Sequence, residues 1–381
     1  MTRPPTERAR PLEGIRVLDF SRMFAGPLCT MMLSDLGADV IKVESPSGDE
    51  ARRFGPPFLA GSGMNFMALN RGKRSVVLDL KSQEGRRRAQ ELARTADVVV
   101  ENFRPGVTER LGIDPATLRG LRPELVYCSI TGYGREGAYR DRSALDLVLQ
   151  GLGGVMDRQG RGREPQMLVV TIADTYAASL ATQGILAALR VRDRDGTGQL
   201  VEVNLLQSLL FAQAYRIISL AEEIRLPALN DAVPYGAFKA ADRWFNVAVA
   251  TERSWAAFCK AIDPSLAEDE RYRTNPDRVA NQEPLLKQLG ELFATRPADH
   301  WISVLEDAGV PCGPIRTIEE ILTDQHVRET QGVVEVDHPQ AGRLLTIGVP
   351  YRLSDTPLAV GRPAPALGEH TEEVLATVPA T

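Results

Sequence analysis

An apolar strand, a helical segment and a second apolar strand follow one another near the start of this sequence. These elements are predicted at Ile15–Phe20, Leu28–Leu36 and Ala38–Glu44. The same alternation returns later, with strands predicted at Ser75–Leu80, Asp97–Glu101, Leu125–Ile130 and Gln199–Val203, and helices at Ser82–Thr95 and Asp114–Gly120. Strands that alternate with helices pair in parallel and carry helices on both faces. The sequence therefore predicts an α/β fold built on a mostly parallel, Rossmann-like sheet.

The turn after the first strand differs from that of dinucleotide-binding proteins. It consists of Met23–Pro27, where those proteins have a Gly-x-Gly-x-x-Gly motif. Without these glycines, a close approach of the backbone to a pyrophosphate is not encoded. We therefore expect the fold without a nicotinamide cofactor.

Polar and glycine-containing segments follow several of the predicted strands. Because ligands of parallel sheets bind at the carboxyl ends of the strands, these segments predict a binding site at one rim. Basic residues at or near this rim could hold phosphates, although each alone is more often a surface charge: Lys73, Arg74, Lys81, Arg104 and Arg110.

Asp174 stands between the apolar run Met167–Val170 and a long segment rich in Ala, Leu and Ile. This pattern predicts that Asp174 is the N-cap of a buried helix. A helix N-terminus stabilises negative charge, so we expect an ionised carboxylate at neutral pH that could act as a nucleophile. On the pattern alone, capping is the more common role. Gly184, within the same helix, predicts a close contact with another backbone.

Composition and residue placement exclude several classes of function. The net charge of −5 does not favour nucleic acid, and no apolar run is long enough to span a bilayer. The start of the chain has no signal-peptide pattern, so we expect a cytoplasmic protein. The four cysteines lack metal-ligand spacing, and all four histidines lie in the last quarter. We predict no metal site, and no catalytic His in the N-terminal region unless the C-terminal part folds back.

The later part of the chain predicts a second, smaller domain. A long helix at Asn204–Glu223 and a linker at Leu226–Ala240 precede one strand and several helices, at Trp244–Ala250, Ser254–Ala261, Gln282–Phe293 and Pro297–Ala308. A rigid turn at Val310–Pro314 and two strands at Val333–Val336 and Leu344–Ile347 follow. The predicted division is a large Rossmann-like domain at 11–225, a small α+β domain at 228–330, and a return to the large domain at 331–381.

Eight motifs, spread over nearly the whole chain, occur in the order typical of a known family. They are Pro11–Phe20, Ala25–Pro27, Leu36–Glu44, Gly72–Ser75, Val100–Gly106, Gly184–Leu189, Gly309–Pro314 and Leu367–Thr371. In this order the chain resembles the class III coenzyme A transferases. This group includes formyl-CoA and carnitine-CoA transferases and is related to the α-methylacyl-CoA racemases.

The resemblance implies that Asp174 is a covalent nucleophile. Its carboxylate would attack an acyl-CoA thioester to give a mixed anhydride, and the released thiolate would then form an aspartyl-CoA thioester. A carboxylic acid acceptor would repeat the exchange in reverse. Acyl-CoA and CoA are substrates in this scheme, with no tightly bound cofactor and no metal. Succinyl-CoA is the first donor that the family suggests.

The resemblance also implies a CoA site along the predicted rim. Phe24 and Ala25 match positions near the pantetheine and nucleotide, and Asp146 matches an acidic residue close to the nucleophile. Three further groups match the adenine pocket (Leu78, Asp79, Leu80 and Lys81), the phosphates and ribose (Asn102, Phe103 and Arg104), and a phosphate-pairing arginine (Arg110). Ser45 departs from relatives that carry Arg there.

Two further departures concern the substrate and the reaction. Leu206–Tyr235 contains no glycine, so the glycine-rich loop of formyl-CoA transferases is missing and an oxalate or formate substrate is disfavoured. Racemases use a His at the position of Leu145, which cannot carry a proton. Glu252 matches an assisting Glu of the racemases and weighs weakly in the other direction. A racemase, and a CoA-binding protein without catalysis, therefore stay open as alternatives.

Family members are interlocked homodimers, in which the active site lies between the large domain of one chain and the small domain of the other. The resemblance implies the same assembly here.

Overall fold

The computed structural model describes residues 9–160, 162–217, 219 and 231–378. The strands are β1 (Arg16–Asp19), β2 (Asp39–Glu44), β3 (Phe58–Leu59), β4 (Ser62–Gly63), β5 (Arg74–Val77), β6 (Val98–Glu101), β7 (Val126–Thr131), β8 (Leu200–Asn204), β9 (Tyr235–Lys239), β10 (Trp244–Ala248), β11 (Cys312–Pro314), β12 (Val333–His338) and β13 (Gly342–Ile347). The α-helices are α1 (Ala25–Asp35), α2 (Met64–Leu69), α3 (Gln83–Thr95), α4 (Val107–Leu111), α5 (Pro115–Leu121), α6 (Asp146–Leu152), α7 (Val155–Gly160), α8 (Ile172–Asp195), α9 (Leu205–Ala212), α10 (Glu252–Ile262), α11 (Ser265–Glu268), α12 (Asn275–Ala280), α13 (Gln282–Phe293), α14 (Ala298–Asp307), α15 (Ile318–Thr323), α16 (Gln325–Glu329) and α17 (Thr371–Leu375).

The chain forms two compact units. The first contains Met1–Ala214 and Gln325–Thr381, and the second contains Tyr215–Asp324. The first unit is built on a six-stranded sheet in the order β5-β2-β1-β6-β7-β8, in which every neighbouring pair is parallel. The predicted α/β fold with a parallel sheet is therefore confirmed. The direction of winding reverses between β1 and β6, and this is where such sheets open a crevice for ligands.

Helices cover both faces of this sheet. On one face α1, α8 and α9 bury an apolar cluster that includes Leu28, Ala181 and Leu209. On the other face α3 and α5 bury residues such as Leu92 and Leu118. The strands, buried between two layers, are correspondingly rich in Val and Ile.

The long helix α8 packs closely because its buried side chains are small. Most of its buried positions are Ala, and Gly184 faces β8. A Cβ atom at Gly184 would lie 2.7 Å from a methyl carbon of Val201, which is too close for packing. A close contact is found at Gly184, with the side chain of Val201 rather than with another backbone, and it explains why the helix accepts a residue that costs about 1 kcal/mol relative to Ala.

The second unit has an antiparallel sheet in the order β11-β10-β9, packed against helices. Its core is aromatic: the ring of Phe293 lies 5.1 Å from the rings of both Phe238 and Phe245, in edge-to-face geometry. The unit therefore has a hydrophobic core of its own.

Three predicted elements were wrong. The long helix at Asn204–Glu223 is the shorter α9, which Asn204 caps through its side chain and which ends at Ala212. The linker at Leu226–Ala240 contains β9, whose alternating buried and exposed residues pair with β10. The rigid turn at Val310–Pro314 contains β11, which extends the same sheet. Residues 218 and 220–230 lie outside the described residues.

The C-terminal segment covers the edge strand β5. The backbone N–H of His370 donates to the carbonyl oxygen of Ser75 at 2.9 Å, and the N–H of Ser75 donates to His370 Nδ1 at 3.3 Å. The N–H of Val77 donates to the hydroxyl of Thr371 at 3.1 Å. Polar groups that an edge strand would expose are thereby paired. The C-terminal part does fold back with a histidine, but that histidine binds the backbone of β5.

Candidate active site

A pocket opens at the carboxyl ends of β1, β2, β5 and β6. Its lining includes all four residues predicted for the adenine pocket, Leu78, Asp79, Leu80 and Lys81, and also Phe103. The rest of the lining includes residues that follow β1 and β2: Phe20, Ser21, Arg22, Ser45 and Gly48. The buried ion pair Lys42–Asp49, with 2.9 Å between Nζ and Oδ2, lies at the same pocket. The pocket is therefore at the rim where the strand pattern predicts a ligand.

Phe24, Ala25, Asn102, Arg104 and Arg110, also predicted for the CoA site, do not line this pocket but follow β1 and β6, two of the strands whose ends border it. Phe24 precedes α1 and Ala25 is its buried first residue. The side chain of Asn102 exchanges two hydrogen bonds of 2.8 Å with the backbone of Arg22, so it fixes the loop after β1. Arg104 lines a small neighbouring pocket. Arg104 and Arg110 are exposed, and neither makes an ion pair within the described part of the chain.

Two basic residues predicted near the rim use their charges in ion pairs within the protein. The ammonium of Lys73 is fully buried, where it donates to Asp19 at 3.0 Å, to the carbonyl of Pro27 and to Asn70. Arg74 pairs with Asp39 and with Glu373. The suggestion that these residues hold phosphates was wrong, because their charges are used to join β1, β2 and β5 to neighbouring elements.

Asp174 lies in the first turn of α8 but is not its cap. The N-cap position belongs to Thr171, which makes no side-chain cap bond. The free N–H groups of Ala173 and Asp174 instead donate to one carboxylate oxygen of Asp146, at 2.7 and 3.1 Å. The predicted capping role of Asp174 was therefore wrong: Asp146, on a different helix, accepts those hydrogen bonds.

The carboxyl of Asp174 is poorly solvated and accepts no hydrogen bond from the residues that the structure describes. Burial, with a further contribution from the charge of Asp146, raises the pKa of Asp174 to about 7. The expectation of a fully ionised carboxylate at neutral pH was wrong. The helix N-terminus cannot lower this pKa as expected, because the nearest N–H groups are already bonded to Asp146.

Asp146 is itself held by a residue that sequence reasoning missed. Its second oxygen accepts a hydrogen bond of 2.6 Å from the amide of Gln150, one helical turn away on α6. The same amide group of Gln150 also bonds both the N–H and the carbonyl of Leu168. Gln150 thus ties Asp146 to the segment that leads into α8. The spacing of the two residues on one helix face was the available signal.

A second missed residue is Glu101, at the carboxyl end of β6. It is 2% exposed and accepts a hydrogen bond of 2.8 Å from the N–H of Phe103. Burial raises the pKa of Glu101 to about 7. Through the hydrogen bond to Phe103, Glu101 fixes the conformation of the loop 102–104.

The two positions that bear on a racemase are far from suited to proton transfer. Leu145 is 70% exposed and apolar. In the second unit, Glu252 forms a paired contact with the guanidinium of Arg278, at 3.0 and 3.1 Å, and accepts from the N–H of Asn275. Arg278 is 1% exposed. Glu252 therefore compensates a buried charge.

We expect Glu252→Gln to lower the free energy of unfolding by about 1 kcal/mol, because the buried Arg278 loses its counter-charge while Glu252 itself is half exposed. Turnover of acyl-CoA should stay within twofold of the wild type. Chemical denaturation and steady-state kinetics measure both, with Glu268→Gln, an exposed acid on α11, as the matched control. A large loss of turnover at unchanged stability would contradict this structural role.

Within the described residues, no cluster of three or more His, Cys, Asp or Glu side chains has the arrangement of a metal site. No helix in the same part of the chain has the length and apolarity that crossing a bilayer requires.

The chain is similar to known proteins over nearly its full length. The model of CoA-transferase family III matches residues 12–371. Succinyl-CoA:glutarate CoA-transferase of Mus musculus is 36% identical over 377 residues, which cover 97% of this chain and 86% of that protein. Succinate–glutarate CoA-transferase of Agrobacterium fabrum is 38% identical over 383 residues, or 97% of this chain and 96% of that protein. The crystal structure of a CaiB/BaiF family protein from Brucella suis has a TM-score of 0.86 at 35% identity, covering 97% of this chain and 99% of that one.

The chain therefore belongs to CoA-transferase family III, as its motifs indicated. It is a transferase whose substrates are CoA thioesters. The relatives that it resembles over nearly its full length include enzymes named for succinyl-CoA and for glutarate.

Proposed function

We propose that this enzyme moves CoA from an acyl-CoA donor to a free carboxylic acid, with Asp174 as the covalent nucleophile. The observation that carries the proposal is the state of the Asp174 carboxyl, which accepts no hydrogen bond from the described residues and whose pKa is raised to about 7. A carboxylate in such an environment is more basic than one in water, so it is a stronger nucleophile toward a thioester.

The steps balance without a metal or a general acid. An oxygen of the Asp174 carboxylate attacks the thioester carbonyl, the C–S bond breaks, and CoA leaves as a thiolate. The thiolate then attacks the Asp174 carbonyl carbon of the mixed anhydride, and the donor acid leaves as a carboxylate. The acceptor carboxylate attacks the carbonyl carbon of the aspartyl-CoA thioester, the C–S bond breaks, and a second mixed anhydride forms between Asp174 and the acceptor. The thiolate then attacks the acyl carbon of the acceptor, and the Asp174 carboxylate leaves. Asp174 is regenerated unchanged.

For the substrates, we propose succinyl-CoA as the donor and a short dicarboxylic acid as the acceptor. The support is similarity alone: relatives named for succinyl-CoA with glutarate, and with mesaconate, match the chain at 36% identity. The experiment is incubation with succinyl-CoA followed by hydroxylamine and peptide mass analysis. Hydroxylamine should convert Asp174 to the hydroxamate, and a peptide unmodified under turnover would refute the covalent role.

A racemase is the alternative reaction. It predicts exchange of the α-proton of an acyl-CoA with deuterated water in the absence of any acceptor acid, and we expect none, because Leu145 carries no titratable group.

We also propose that the chain acts as an interlocked homodimer. Exposed apolar side chains occur at and beside α6 and in the segment that leads into α8. They are Leu145, Leu147, Leu152, Val169 and Val170. Exposed apolar side chains that lie close together in the chain are typical of an interface between chains. Light scattering in solution should give the mass of two chains, and the mass of one chain would contradict the proposal.

A further inference from the structure

Arg22 and Phe103 form a cation–π contact at the pocket beside the sheet. The guanidinium carbon of Arg22 lies 4.7 Å from the centroid of the Phe103 ring, and both residues line the pocket. Phe103 follows β6 and Arg22 follows β1, so the pair stands at the switch point of the sheet. Leu78 and Leu80, after β5, line the other end of the same pocket.

The backbone of Arg22 is held in place from several directions. Its N–H and its carbonyl both bond the side chain of Asn102, and the N–H of Met23 donates to Asp49 at 3.2 Å. Met23 has a φ of +64°, a conformation that costs a side-chain-bearing residue free energy. Strain that surrounding bonds maintain is typical of loops built to present a side chain.

The guanidinium of Arg22 is held by an ion pair and remains partly exposed. Its edge pairs with Glu50, with 3.1 Å between Nη1 and Oε1, and its side chain is 43% exposed. A guanidinium is planar and partly exposed here, so it offers a surface on which a second ring can stack while Phe103 supports it from within the pocket. Ser45, at the same pocket, has no planar group to offer.

We propose that Arg22, supported by Phe103, is the platform on which the adenine ring of CoA stacks in this chain. Arg22 thereby supplies the planar cation that Ser45 does not. This inference rests on the proposed use of CoA and adds the residue that recognises its base. Recognition is by stacking and cation–π attraction, so it acts on the nucleotide end of the substrate and leaves the thioester end unchanged.

The test is calorimetric titration of the full-length protein with CoA and with 4′-phosphopantetheine, which lacks the adenosine part. We expect Arg22→Met and Arg22→Lys to raise the Kd for CoA about fivefold to tenfold, since the lysine keeps the charge but loses the plane. The Kd for 4′-phosphopantetheine should not change. Arg53→Lys and Arg53→Met, which alter an exposed arginine outside the pocket lining, should bind CoA as the wild type does.

The outcomes separate this inference from the proposed function. If the wild type binds CoA and both Arg22 variants bind it equally well, the stacking role is overturned while the transferase proposal stands. If Arg22→Lys binds like the wild type and only Arg22→Met is weakened, the charge alone matters and the stacking role is again overturned. If the wild type does not bind CoA, both proposals fall together.

Discussion

Asp174→Asn is expected to lower transferase turnover at least about a thousandfold, because an amide cannot form the anhydride with the acyl group. The substitution keeps the size of the side chain. It removes no hydrogen bond, since the Asp174 carboxyl makes none within the described residues and the helix is capped by Asp146. The loss should therefore come without unfolding.

The same substitution has a predictable effect on stability. The pKa of Asp174 is about 7 in the folded protein against a usual value of 3.8, so the folded state holds this proton more tightly than the unfolded state. Wild-type stability therefore declines as the pH rises through this window. Asn carries no such proton, so Asp174→Asn should melt at a higher temperature than the wild type at pH 8, with the difference vanishing near pH 4.

Steady-state kinetics and calorimetry at several pH values measure these two effects. Asp193→Asn, an exposed acid near the other end of α8, serves as the matched control and should change neither. Asp174→Ala guards against activity regained by deamidation. Turnover above a tenth of the wild type in both Asp174 variants would remove the nucleophile from the mechanism.

The second large effect is expected at Asp146. Its charge helps to raise the pKa of Asp174, and formation of the neutral anhydride relieves the repulsion between the two carboxylates. Asp146→Asn keeps an oxygen for the N–H groups of Ala173 and Asp174 but removes the charge and the acceptor of the Gln150 amide, so thermal stability is measured alongside turnover. We expect turnover at pH 8 to fall roughly fivefold to tenfold. This corresponds to a rise of about 1 kcal/mol in the activation free energy, because the charge of Asp146 no longer destabilises the reacting carboxylate.

The pH profile distinguishes this electrostatic role from a structural one. In the wild type, kcat/KM should fall as the pH drops through about 7, where Asp174 takes up its proton. In Asp146→Asn this decline should move to lower pH, whereas Asp146→Leu, which also loses the cap, should unfold more easily by roughly 1–3 kcal/mol. Asp157→Asn, an exposed acid on α7, is the control. An unmoved profile in Asp146→Asn would contradict the role.

Local sequence patterns were sufficient to predict strands of the parallel sheet and some of the helices. The predicted strand Ala38–Glu44 differs from β2 by a single residue, and the predicted helix Gln282–Phe293 has the bounds of α13. Apolar runs and helical periodicity report burial directly, which is why these elements could be predicted. The helix predicted at Asn204–Glu223 failed because a continuous apolar pattern does not reveal where a chain leaves one compact unit for another.

The site was predictable in its position but not in its electrostatics. The position of the pocket at the rim follows from the rule for parallel sheets, and the proposal that Asp174 is the nucleophile follows from the motifs. The cap and the pKa of Asp174 depend on Asp146, which is separated by 28 residues in sequence and lies on another helix. The burial of Lys73 likewise depends on Asp19, 54 residues away. No window of local sequence contains such pairs.

The hydrogen bonds between His370 and Ser75 have a consequence for folding during protein synthesis. These two residues are 295 positions apart, and the whole second unit is translated between them. While the nascent chain emerges from the ribosome, the outer edge of β5 has no partner and can pair with other exposed strands. Binding of chaperones to the nascent chain, and its aggregation, should therefore be greatest before the finished chain leaves the ribosome. C-terminal truncations should increase both.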